Sequence, residues 1–191
     1  MKEPTIITTS EWGAKPVSTK FGKSQALGVV VHNTDHPNRD AKNGAAERSK
    51  AFDLARSIQR DHMVDAHTWA DTGQHFTISR GGLILEGRHG SLAAARLGKV
   101  VRGAHAGSTV HNNQWFGIEL EGRNKESFAV TDEQWAALIE LCAWLSSVGG
   151  FNGTNILGHL EVKVGGTDCP GKVIDRLPNL RTSVVTAVSN G

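Results

Sequence analysis

The feature that most constrains the fold is an uninterrupted aliphatic run from Leu27 to Val31, which ends in His32. A continuous β-branched and aliphatic run of this length is typical of a strand whose two faces are both buried. The imidazole at its end needs a polar partner, because burying an unpaired polar group costs free energy. His32 is therefore either a hydrogen-bonded core histidine or a metal ligand.

A second stretch, Asn155 to Gly171, favours the metal ligand. A short apolar run in it leads to His159, and Cys169 follows ten residues later, beyond a turn at Gly165-Gly166. Imidazole nitrogen and thiolate sulfur are both good zinc donors, although such a pair alone is more often structural. Together with His32 the pair would supply three ligands and leave the fourth tetrahedral position for water, as in catalytic zinc sites.

The rest of the chain alternates between strand and helix patterns. This alternation predicts an α/β fold in which helices flank a mixed central sheet. Residues 88 to 114, rich in Gly, Ala, Ser and Asn, are expected to form a long irregular binding loop. The expected strands are an edge strand within residues 5 to 26, a hairpin around Gly81-Gly82 within residues 75 to 86, Trp115 to Glu121, and Asn155 to Gly158. The expected helices are Ala45 to His62, Thr131 to Val148 with a capping box from Thr131 to Gln134, and part of residues 175 to 189.

Length and charge narrow the possible functions. The 191 residues suit one domain, residues 1–191, with a core from about 5 to 180. A net charge of +2 without a basic block argues against a nucleic-acid partner. No run is long enough for membrane insertion, and no apolar segment follows Met1 to Pro4, so no signal peptide is expected. Of the two cysteines, Cys142 is expected to be a small buried hydrophobe.

Five ordered segments carry a resemblance to a known family. They read GVVVHNT, GQHFTISRGGLILEGR, GAHAG, GIELEG and GHLEVKVGGTDCPG. In this order they resemble the zinc-dependent N-acetylmuramoyl-L-alanine amidases of the type 2 class, which include phage amidase-lysozymes, cytosolic recycling amidases and peptidoglycan recognition proteins. The start, Ile7 to Pro16, is similar to the opening of recognition domains. The resemblance implies one Zn²⁺ in a surface groove, bound by His32, His159 and Cys169, and hydrolysis of the amide between N-acetylmuramic acid and L-alanine.

The resemblance also implies catalytic roles. Some family members use a Tyr in a G-Y-x-F motif as general acid–base, but Gln74 occupies that position here and the chain has no Tyr. Recycling amidases use a Glu in a G-I-E motif, which corresponds to Glu119. Glu119 is therefore the expected general base and then acid, and Glu121 a supporting or salt-bridged residue. Thr167, two residues before Cys169, is expected to stabilise the oxyanion.

Three further residues are expected to bind substrate, and they are His105, Gln74 and Trp115. His62 matches a family position that we interpret as structural. The predicted partner is peptidoglycan or a muropeptide, and the predicted state is a monomer.

Three functional settings remain open. The first is a lytic, endolysin-type amidase, made in the cytoplasm and acting on the cell wall after release or export. The alternatives are a non-catalytic recognition module, which the missing Tyr keeps open, and a cytosolic muropeptide-recycling amidase.

Overall fold

The computed structural model describes all residues from 1 to 191. Its main sheet has six strands in the order β1-β5-β4-β7-β3-β8. The strands are β1 (Ile6–Ile7), β3 (Gly28–Asn33), β4 (Phe76–Ile78), β5 (Ile84–Glu86), β7 (Trp115–Leu120) and β8 (Ile156–Gly158). Only the β4–β5 hairpin is antiparallel, so the sheet is mixed, as predicted.

The helices flank this sheet. They are α1 (Gly44–Arg60), α2 (Ser91–Ala95), α3 (Thr109–Gln114), α4 (Asp132–Gly149), α5 (His159–Val162) and α6 (Leu177–Ser189). The largest apolar cluster joins the sheet to α4 and α6, and a smaller one joins α1 to β1 and β5. Trp12 fills the smaller cluster and donates from Nε1 to the Glu86 carbonyl at 2.7 Å. None of the helices is long and apolar enough to span a bilayer.

Strand β3 lies between β7 and β8 and is buried on both faces, which confirms the interpretation of the aliphatic run. Val29 and Val31 belong to the large cluster, whereas Val30 packs on the other face with Ala106 and Val162. Because side chains alternate along a strand, His32 lies on the same face as Val30. The register pairs His32 with Glu119 on β7.

Two expectations about local structure were wrong. Residues 88 to 114 are not irregular, because they contain α2, α3 and a short strand β6 (Lys99–Val101) that pairs with β2 (Lys23–Gln25) in a separate sheet. The capping box is only half formed. The Thr131 hydroxyl accepts from the Gln134 backbone N–H at 3.1 Å, but the Gln134 side chain donates to the Ile78 and Glu121 carbonyls instead.

Candidate metal centre and substrate groove

The three predicted metal ligands meet in one place. His32 stands at the end of β3, His159 begins α5 directly after β8, and Cys169 lies in the loop before α6. Their donor atoms all lie within 4.8 Å of one another, and His32 Nδ1 is 3.8 Å from Cys169 Sγ. Zinc–nitrogen bonds of about 2.0 Å and zinc–sulfur bonds of about 2.3 Å require a tetrahedral N···S separation of about 3.5 Å, so the spacing suits zinc.

The environment of His159 supports this assignment. Its ring nitrogen Nε2 is buried and has no hydrogen-bond partner within the protein. A buried polar atom without a partner is costly, and a bound cation would satisfy it. The donor set of two imidazoles and one thiol therefore fits zinc.

The protonation states also suit a metal. Burial, followed by the charges of His159 and His75, holds the pKa of His32 well below its usual value, so its ring is neutral. Burial likewise lowers the pKa of His159. Burial raises the pKa of the Cys169 thiol to about 12 in the protein without metal. The Asn33 N–H donates to its sulfur at 3.4 Å, a contact that favours the thiolate formed when a metal binds.

Glu119 lies beside this centre without a counter-charge. It is the neighbour of His32 across the β3–β7 ladder and forms part of the wall of the same cavity, whose volume is about 470 Å³. Burial raises the pKa of its carboxyl to about 8, and no hydrogen bond or charge offsets that shift. A carboxyl with a raised pKa next to a metal centre is suited to general acid–base work.

Thr167 also lies in the cavity wall. Its Oγ1 accepts a hydrogen bond from the backbone N–H of Cys169 at 3.2 Å. The hydroxyl proton stays available for a second partner, because this contact uses only the oxygen lone pair. The position is compatible with the predicted donation to an oxyanion.

The three predicted substrate contacts are placed differently. His105 lies in the cavity wall, but both ring nitrogens are within hydrogen-bond distance of protein groups, Nδ1 3.0 Å from His32 Nε2 and Nε2 3.1 Å from the Trp115 carbonyl. Trp115 packs against Val30 and is not part of the cavity wall. The structure therefore does not support a direct substrate contact for Trp115.

Gln74 is turned away from the cavity. It is fully buried, its amide nitrogen donates to Thr77 Oγ1 at 3.0 Å, and its amide oxygen has no partner. The expected contact with substrate has no support in this position, because the side chain is directed into the interior beside β4. Its role stays a prediction.

Several residues of the cavity wall were not predicted to contribute to the site. His62 and Trp69 belong to the wall, although the His62 Nδ1 accepts from the Gly73 N–H at 3.1 Å, as a structural residue would. Asp35 and the ion pair between Lys125 and Asp168, at 2.7 Å, also belong to it. Asp168, next to the predicted ligand Cys169, could have been found by its sequence position.

The sequence of this chain is similar to those of known proteins. A family model described as N-acetylmuramoyl-L-alanine amidase matches residues 22–172. Peptidoglycan-recognition protein SC2 of Drosophila melanogaster is 33% identical over 169 residues, which are 87% of this chain and 80% of that protein.

Two solved structures show the same fold. Drosophila peptidoglycan recognition protein SD has 25% identity and a TM-score of 0.73, covering 93% of this chain and 94% of that one. The N-acetylmuramoyl-L-alanine amidase LysC from Clostridium intestinale has 23% identity and a TM-score of 0.68, covering 95% and 98%. Since the family model spans His32, Glu119, His159 and Cys169, the metal centre lies wholly within the matched region, and the protein belongs to the N-acetylmuramoyl-L-alanine amidase family Amidase_2.

Proposed function

We propose that this protein is a zinc-dependent hydrolase that cleaves the amide between N-acetylmuramic acid and L-alanine in peptidoglycan. The observation that carries the proposal is a half-buried, uncompensated carboxyl, Glu119, in the same cavity wall as three converging zinc donors. A protein that only recognises peptidoglycan needs a groove, but it needs neither the third metal ligand Cys169 nor a carboxyl kept free of partners.

Each part of the site answers a difficulty of amide hydrolysis. A zinc ion bound to His32, His159 and Cys169 would polarise the amide carbonyl as a Lewis acid and lower the pKa of a water molecule to about 7. Glu119 accepts a proton from the attacking water and transfers it to the nitrogen of L-alanine as the C–N bond breaks. The products are a free lactyl carboxylate and a peptide with a free amino terminus.

The carbonyl oxygen gains negative charge as water attacks. The Thr167 hydroxyl, whose oxygen already accepts from the Cys169 N–H, has its proton free to donate to that oxygen. Two neutral imidazoles and one thiolate would leave the metal with a net charge of +1, which also favours the developing anion.

Two alternative functions each have one supporting observation. The lack of a titratable group at Gln74, which is buried away from the groove, is compatible with a recognition module. The second alternative is a cytosolic enzyme that acts on soluble muropeptides. It is supported by the G-I-E motif that contains Glu119, because recycling amidases share this motif. We favour the lytic enzyme, acting on the wall after release or export, because the segments Ile7 to Pro16 and TDCPG resemble recognition domains more than recycling enzymes.

The test uses the purified full chain with insoluble peptidoglycan and, in parallel, with soluble anhydro-muropeptides. Mass spectrometry would follow the release of stem peptides that carry a free N-terminal L-alanine. We expect release from the insoluble wall, its loss with a chelator and its recovery with added zinc. Release from the soluble substrate alone would indicate recycling. Binding to the wall without any release, with zinc bound, would show that the protein is a recognition module.

A further inference from the structure

His105 has a geometry that its expected role as a substrate contact does not explain. Its ring lies between the metal ligand His32 and the backbone carbonyl of Trp115, at 3.0 Å and 3.1 Å. We infer that His105 is a positioning residue, which fixes the tautomer of His32 so that the Nδ1 of His32 is free to bind the metal.

The protons along this chain of contacts can be assigned from the carbonyl outwards. A carbonyl oxygen only accepts, so His105 Nε2 must carry a proton and donate it to Trp115. The second nitrogen of a neutral imidazole has a lone pair, so His105 Nδ1 accepts from His32 Nε2–H. His32 Nδ1 is then unprotonated, and this atom is the one that lies 3.8 Å from Cys169 Sγ.

The alternative proton arrangement is costly. If His105 carried protons on both nitrogens, His32 Nε2 would have to accept a hydrogen bond from His105 Nδ1–H. The proton of the neutral His32 ring would then lie on Nδ1, directed at the metal position. That arrangement would also bury a cation beside a site that binds Zn²⁺. The neutral arrangement has neither cost, and a metal-binding histidine typically donates its other N–H to a hydrogen-bond acceptor.

The protein holds the His105 ring tightly. A side chain at Gly117 would bring its Cβ within 2.5 Å of His105 Cγ, and one at Gly103 would come within 2.8 Å of His105 Cδ2. The Asn112 side chain accepts from the His105 backbone N–H at 2.8 Å, which fixes the main chain as well. Trp115 thus contributes its backbone carbonyl to the arrangement of His105.

The first measurement is on the zinc-free wild-type protein. Its result tests the role of His105 independently of the zinc-dependent hydrolysis proposed above, on which this inference rests. Imidazole ¹⁵N chemical shifts, with His32 assigned by its loss in His32→Gln, report which nitrogen carries the proton. We expect His32 to be protonated at Nε2 without any metal. Protonation at Nδ1 would overturn the role of His105, whether or not the enzyme is active.

The second measurement is zinc affinity by competition with a chromophoric chelator. We expect His105→Leu to weaken zinc binding by about 10- to 100-fold, the usual effect of removing such a partner. His105→Asn, whose amide oxygen can still accept from His32, should recover most of it. The control is His111→Leu, since His111 lies near Trp115 as well, 5.2 Å from its ring between centroids, but has no hydrogen bond to His32. Equal zinc affinity in His105→Leu and wild type would contradict the assignment.

Discussion

Glu119 and Glu121 are two residues apart at the end of β7, yet their surroundings are opposite. Glu121 accepts two hydrogen bonds from the Arg39 guanidinium, at 2.7 and 2.8 Å, and one from the Arg80 N–H. Arg39 also donates twice to Glu47 at 2.8 Å. Glu119 has no such partner in the substrate groove. The loss of hydration is thus compensated in the Arg39 cluster, formed by Arg39, Glu47 and Glu121, but not at Glu119 beside the proposed metal centre.

Removal from water has opposite net effects on the carboxyl pKa in the two regions. At Glu47, burial acts to raise the pKa, but the hydrogen bonds from Arg39 and other donors outweigh it and lower the pKa to about 2. At Glu119 burial acts alone and raises the pKa to about 8. Hydrogen-bond and ion-pair partners, more than depth of burial, therefore distinguish a carboxylate that stabilises the fold from one that can exchange protons.

The largest expected effect comes from removing a metal ligand. Cys169→Ala should abolish both zinc binding and amide hydrolysis, because two imidazoles alone bind zinc weakly and leave the site open. Zinc content by elemental analysis and peptide release from peptidoglycan check the two losses. The control is Cys142→Ala, which removes the other, fully buried cysteine and should cost stability but keep bound zinc. Full activity in Cys169→Ala would refute the proposed centre.

Removing the unpaired carboxyl should separate chemistry from stability. Glu119→Gln is expected to lower kcat by about 10²- to 10⁴-fold, the usual contribution of general acid–base catalysis. Zinc content should stay unchanged. Since no partner is lost, the melting temperature should stay the same or rise. The control is Glu140→Gln on the exposed face of α4. A large fall in melting temperature with normal kcat would mean that Glu119 is structural.

Breaking the Arg39 cluster should give the reverse result. Arg39→Met leaves the buried carboxylates of Glu47 and Glu121 facing each other, and we expect a loss of about 3–5 kcal/mol in the free energy of unfolding. The folded fraction should keep a near-normal kcat. Arg48→Met is the control, since its ion pair with Glu11 is exposed and worth at most about 1 kcal/mol. Denaturant unfolding measures both. A stable but inactive Arg39→Met variant would contradict the assignment of the Arg39 cluster to stability and of Glu119 to catalysis.

The sequence was sufficient to predict the central strand from a local pattern, and the three candidate metal ligands from local patterns together with the family resemblance. A short aliphatic run is typical of a buried strand, and a His ten residues before a Cys across a Gly-Gly turn can close on one ion. Residues 88 to 114 were misread because α2, α3 and β6 are too short to show a period. The direction of Gln74 and the contact of His105 with His32 depend on packing between distant segments, which no local pattern encodes.

Another buried carboxylate, Asp71, tests whether pairing alone decides the direction of the pKa shift. Its Oδ2 accepts from the backbone N–H of His89 at 2.7 Å and lies 2.9 Å from His89 Nδ1, while Gln59 donates to Oδ1 at 3.0 Å. Burial acts to raise the pKa of Asp71, but His89 and Gln59 reverse the effect and lower it. The hydrogen bond to Asp71 raises the pKa of His89. Asp71 therefore behaves like Glu47 and unlike Glu119.

These two shifts define a pH window for stability. The contribution of Asp71 is present above its unfolded pKa of about 3.9 and is lost as pH falls through the lower folded value. The contribution of His89 is complete below its unfolded pKa of about 6.5 and is lost as pH rises through the higher folded value. The pair should therefore stabilise most between about pH 4 and pH 6.5.

His89→Gln should remove this pH dependence and little else. Above the window we expect a difference from wild type of a few tenths of a kcal/mol, and within it about 1 kcal/mol, because His89 is partly exposed and solvent screens the pair. Thermal unfolding from pH 4 to pH 8 measures it. Asp53→Asn, which breaks an exposed pair with Arg56, should give a pH-independent difference near zero. If His89→Gln matched wild type throughout this range, the hydrogen bonds from Gln59 and the backbone would be enough to hold Asp71 ionised. Pairing with a titrating side chain would then not be needed to keep a buried carboxylate out of proton chemistry.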